Sequence, residues 1–117
     1  MEITTSILEN GVKLIVLDGR LDLPGVMGIE LKFTAAAASE KAGVVVDLAQ
    51  VPFLASIGIR MLLSSAKAVQ KRGGKMVLLN PTPLVSDMLS TSGISTLIPI
   101  YTDLDAACTH VLDDLSH

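Results

Sequence analysis

Few residues in this chain are equipped for chemistry. Ser56 is the most conspicuous. It stands in VPFLASIGIRMLLSSAK, where an apolar run gives way to a helical pattern. A nucleophilic serine needs a base held by a third group. The two histidines, His110 and His117, show no metal-ligand spacing, and His110 reads as a solvated helix residue. Asp113 and Asp114 read as a solvated helix end, and no carboxylate pair sits in an evident cleft, so general acid–base catalysis lacks support. No glycine-rich phosphate loop of the right spacing occurs. Two readings of Ser56 remain. As an N-cap, its hydroxyl oxygen would accept from a first-turn amide, and replacement by alanine would cost about 1 kcal/mol. As a phosphoacceptor, it would use the same unpaired amides and positive helix end. The added charge of roughly −1.5 to −2 would then disrupt any apolar docking surface beside it.

Composition narrows the classes. The 117 residues are 50% hydrophobic but only 3% aromatic. That predicts one domain over 1–117 with an aliphatic core, in which Phe33 and Phe53 are the large rings. A net charge of −3 disfavours nonspecific nucleic-acid binding. The single cysteine, Cys108, allows neither an internal disulfide nor a metal cluster, and its helical spacing points it into the core. The segment MEITTSILENG has no basic start followed by an apolar run, so no signal peptide is expected, and a cytoplasmic location fits best. Mean hydropathy is high at +0.57. Charges nevertheless interrupt each apolar stretch before about 18 residues, so no membrane span is expected. The apolar excess suggests a dense core and a surface that meets a partner.

The elements that must position Ser56 follow from periodicity. Residues 2–9 and 12–18 read as a hairpin joined by Asn10-Gly11, both placed at positive φ. Asp22 is set to cap a helix starting near Pro24 and carrying Val26, Ile29, Leu31 and Phe33, followed by the soft segment 35–39. Gly43 opens VVVDL, a run without alternation that suits a strand covered on both sides. Asp47 near its end is placed to satisfy loop amides. A helix over 56–72 stops at Arg72-Gly73-Gly74. MVLLN is a second buried strand, PTPLVSDMLSTSG a short helix closed by Gly93, and 97–100 a third short strand. Thr102 or Asp103 caps a last helix. The order ββαβαβαβα predicts an α/β fold, with a β-hairpin, a mixed central sheet of about five strands and about four helices.

At 100° per residue, Ile59, Leu62, Leu63, Ala66 and Val69 form the core stripe of the helix after Ser56. Ile57, Met61, Ser64, Ala68 and Lys71 fall opposite. Two apolar residues there, within about a turn of Ser56, suggest a docking face. They are equally consistent with scattered exposed residues or cover by a loop. Gly58 leaves room for another chain to approach.

From VVVDL to STSGI the chain resembles a STAS domain, the family of bacterial anti-sigma factor antagonists. Gly19-Arg20-Leu21-Asp22 is similar to the family's Gly-x-Leu-Asp, and Val51-Pro52-Phe53-Leu54-Ala55-Ser56-Ile57-Gly58 to its Val-x-Phe-hydrophobic-Asp-Ser-Ser/Thr-Gly. The matching position makes Ser56 the phosphorylated serine. Ala55 replaces the usual acid, Ile57 a frequent Ser or Thr, and Arg60 a frequent Gly. Loss of the carboxylate reduces repulsion, and Arg60 could pair with a phosphate. The resemblance implies partner switching: the unmodified protein binds an anti-sigma factor, a serine kinase of the histidine-kinase-like ATPase fold. The kinase phosphorylates Ser56, the complex parts, and a PP2C-type phosphatase resets it. The protein is then a ligand and substrate, not an enzyme, and needs no cofactor. Asp22, Ala55, Ser56, Ile57, Gly58, Arg60 and Met61 form the expected partner-binding surface. The alternative is a constitutive, unphosphorylated STAS subunit of a signalling or lipid-transport complex. A small enzyme or nucleotide-binding domain is the weakest option.

Overall fold

The computed structural model describes residues 1–37 and 43–115, the side chains of 113–115 excepted. Ten elements follow one another: β1 (Glu2–Ile7), β2 (Lys13–Asp18), α1 (Leu23–Ala37), β3 (Gly43–Gln50), α2 (Ser56–Lys71), β4 (Lys75–Leu79), α3 (Pro83–Ser92), a 3₁₀ turn (Ile94–Thr96), β5 (Ile100–Tyr101) and α4 (Leu104–Leu115). The strands form one sheet in sequential order, β1-β2-β3-β4-β5. β1 runs antiparallel to β2, and the other pairings are parallel. The expected five-stranded mixed sheet with four helices is therefore present.

Side-chain alternation explains the layers. Ile15, Val46 and Leu78 lie side by side across three strands. They point to one face and pack with Val26 and Phe33 of α1, Leu62 and Val69 of α2, and Val85 and Leu89 of α3. Val45, Val77 and Leu79 point the other way, where Ala107, Cys108 and Val111 of α4 cover them. β3 is thus buried on both faces, as its unbroken VVV run requires. Lys13 shares the three-helix face. Buried there, its ammonium donates to the carbonyl of Ala36 at 2.9 Å, and a cation suits the last turn of a helix.

Several local expectations need correction. The hairpin is wider than a two-residue turn. Gly11 adopts φ +85°, whereas Asn10 is not in the left-handed region. Instead its Oδ1 accepts from Val12 N at 3.0 Å, and Gly11 N donates to Leu8 O at 2.9 Å. The last strand is Ile100–Tyr101, not 97–100. Pro99 has no amide proton to give, and the preceding residues close a 3₁₀ turn through Leu97 N to Ile94 O at 2.9 Å. Of the two caps left open for the last helix, Asp103 holds the position and accepts from Ala106 N at 3.1 Å. Leu31 is 87% exposed and takes no part in the α1 core stripe. His110 is not solvated. It is half-buried, with Nδ1 2.7 Å from the Tyr101 hydroxyl. His117, residues 38 and 39 of the Ala-rich segment and the Asp113-Asp114 side chains lie outside the described residues.

Candidate partner-docking site

The candidate residues meet where the parallel strands end. β2 leaves the sheet at Asp18 and runs through Gly19 to Asp22 before α1. β3 leaves at Gln50 and runs through Phe53 to Ala55 before α2. Backbone bonds sew the two exits together. Gly19 N donates to Gln50 O (3.1 Å), Leu21 N to Phe53 O (2.9 Å) and Ala55 N to Leu21 O (2.9 Å). A third exit joins through Thr82, whose hydroxyl donates to Val51 O at 3.3 Å.

Ser56 is the first residue of α2, and its side chain is exposed. It is not the cap. Ala55 holds that position, with φ −94° and ψ 169°, and no side chain accepts from the first turn. The sequence reading erred by one residue because alanine cannot announce itself as a cap, whereas serine next to it does. The consequence is chemical. The hydroxyl of Ser56 is not used inside the helix, and the positive helix end stays uncovered by any side-chain oxygen. Arg60 lies one turn further on and is exposed.

Asp22 does cap its helix, as expected. Its Oδ1 accepts from Gly25 N at 3.1 Å, and its Oδ2 accepts from Arg20 Nε at 3.0 Å. The Gly25 amide first, and the Arg20 guanidinium second, hold its carboxyl below the ordinary carboxylate value. Arg20 also lies over the Phe53 ring, 4.4 Å from its centroid. The sequence offered no sign of this contact, since cation–π partners on separate loops leave no spacing pattern. Asp47 accepts from Ala49 N at 2.9 Å, in keeping with a role in satisfying local amides.

Two expected surface residues are inside. Met61 is 2% exposed and belongs to the main core. Its helix has two neighbours: the sheet beneath it and α1 beside it, with Thr34 of α1 3.5 Å from Ser65 of α2. The flank read as outward is therefore the flank against α1. Ile57 and Ala68 on that flank are half-buried, and only Ser64 and Lys71 are exposed. Gly58 is buried as well. The chain that comes close to it is its own, at Leu21.

Beside Ser56 opens a mainly apolar groove of about 540 Å³ between the start of α2 and α3. Phe53, Ala55, Ser56 and Ile59 line one side, and Asp87, Met88, Thr91 and Ser92 the other. The α3 residues escaped the sequence reading because some thirty positions separate them from Ser56. Among the described residues no group of histidine, cysteine and carboxylate side chains could hold a metal ion. No described helix is long and apolar enough to cross a membrane.

These features define an α/β domain with an exposed serine and an apolar groove at the carboxyl ends of its strands. The chain belongs to the STAS domain family, whose profile matches residues 5–107. BtrV of Bordetella bronchiseptica, a candidate anti-sigma factor antagonist, is 26% identical over 98 residues, 84% of each chain. The anti-sigma F factor antagonist of Paenibacillus polymyxa is 27% identical over 94 residues, 80% of each. An anti-sigma factor antagonist from Mycobacterium paratuberculosis has a crystal structure that superposes with a TM-score of 0.80. It is 25% identical and matches over 96% of both chains. The family resemblance carried by the Ser56 region is thereby confirmed.

Proposed function

We propose that this protein is an anti-sigma factor antagonist switched at Ser56. Unmodified, it docks on an anti-sigma factor through Ala55, Ser56, Ile57 and Arg60, with Asp22 at the neighbouring strand exit. The apolar groove toward α3 adds area next to that contact. The observation that carries the reading is the position of Ser56: exposed, first in α2, and free of any capping bond. The anti-sigma factor is a kinase of the histidine-kinase-like ATPase fold. It transfers the γ-phosphoryl group of Mg-ATP to the serine. The Oγ–P bond forms, the bond to the β-phosphate oxygen breaks, ADP leaves and the hydroxyl proton departs. The dianionic product suits the helix end and opposes an apolar partner, so the complex separates. A PP2C-type phosphatase hydrolyses the phosphoserine and restores binding.

The test is incubation of the purified protein with its cognate kinase and Mg-ATP, read by intact mass and by a binding assay. A gain of one phosphoryl group, lost in Ser56→Ala and accompanied by dissociation, is expected. Retained binding without modification would make the protein the constitutive subunit instead. Hydrolysis of ATP by this chain alone would make it an enzyme.

A further inference from the structure

The side of the molecule formed by α1 and α2 carries two stripes that, Arg60 apart, the Ser56 switch does not use. On α1, Leu23, Met27 and Leu31 recur every four residues and are 54%, 75% and 87% exposed. They share a flank with Thr34, the residue that meets α2. On α2, Arg60, Lys67 and Lys71 rise along the outer crest, all exposed. α2 contains no acidic residue. Among the described residues none of these three cations has an acidic partner. A protein of net charge −3 thus concentrates positive charge on one helix and sets it beside an uncovered apolar strip.

We propose that this paired surface is a docking site for an amphipathic helix of another protein, with its apolar face on Leu23, Met27 and Leu31 and its acidic edge against Lys67 and Lys71. Charge selects that occupant. A second copy of this chain joined face to face would set the basic crests against each other. A second copy presenting α4 would offer, among its described side chains, exposed Asp105, Ala106 and Thr109, none large enough to cover the α1 strip. An anionic membrane would meet a strip without the aromatic anchors that seat a helix in the headgroup region. A helix with acids along one edge satisfies both stripes at once. The surface is separate from the phosphoacceptor. Arg60 alone is common to the two, so occupation here does not require Ser56 to be unmodified.

The experiment uses the whole protein and three probes. One is a synthetic amphipathic peptide with leucines on one face and glutamates on the next. The second is the same peptide with lysines for the glutamates. The third is a vesicle of anionic phospholipid. The acidic peptide should bind, weaken as salt rises, and lose about tenfold or more in affinity in both Met27→Glu and the double variant Lys67→Glu, Lys71→Glu. These side chains are exposed, and an unchanged melting temperature confirms folding. Ser56→Glu should leave peptide binding intact while abolishing association with the anti-sigma factor, which separates failure here from failure of the switch. Equal binding of both peptides, insensitivity to either variant, binding of the vesicle instead, or sedimentation as a dimer through this face would overturn the proposal.

Discussion

Gly58 rests against the backbone of Leu21. A Cβ at position 58 would come within 2.8 Å of the Leu21 carbonyl oxygen and 2.8 Å of Leu54 Cδ1. This contact locks the start of α2 to the exit of β2, and it fixes where Ala55 and Ser56 stand relative to Asp22. The glycine that the sequence offered as an opening for a partner is a close approach within the fold.

Gly58→Ala therefore sets two effects against each other. Alanine favours a helix interior by about 1 kcal/mol over glycine. Overpacking against a backbone atom costs about 1–3 kcal/mol, and a carbonyl cannot swing away as a flexible side chain can. The expected net result is a loss of up to about 2 kcal/mol in urea unfolding. Unchanged or increased stability would mean that Leu21 yields easily.

Ala55 and Ser56 should respond in opposite ways to substitution. Ser56→Ala removes no capping bond and should change stability by less than about 0.5 kcal/mol. Ala55→Asp places an acceptor at a position already extended, beside open first-turn amides. It should add about 0.5–1 kcal/mol. Equilibrium denaturation of both variants distinguishes this arrangement from one in which Ser56 is the cap.

Met61→Asp, which a surface position would tolerate, should unfold or severely destabilise the domain. A carboxylate would be forced into a site 2% exposed. Met61→Ala and Leu62→Ala should each cost about 2–5 kcal/mol. Circular dichroism melts provide the measurement. A folded Met61→Asp protein of normal stability would return Met61 to the surface.

Asp22 links stability to acid. Its folded carboxyl titrates below the ordinary 3.8, so the ionised form is favoured by folding. Its contribution is fully present above the unfolded value and is lost as pH falls through the lower folded value. Asp22→Ala should thus melt earlier than the parent at pH 7, with the gap closing as the solution is taken below about pH 4. Thermal melts across that range, at constant ionic strength, decide it. A gap that stays constant into strong acid would remove the carboxylate from α1 capping.

Local patterns revealed much of this protein. Alternation in β2, the unbroken VVV of β3, Asp22 before Pro24, and Gly93 after α3 each act on their own few neighbours. Their structural consequences therefore follow from residue type and spacing. The same holds for the order of strands and helices and for the Ser56 region as a family signature. Tertiary structure decided what depends on a second neighbour. Met61 is inside because α1 lies along α2, Arg20 stacks on Phe53 because two strand exits adjoin, and Met88 faces Ser56 across a groove. A helical wheel has only one inside, whereas a helix in a layer packs against a sheet and a flanking helix at once. The distinction between buried and presented on α2 could not be made until both were in place.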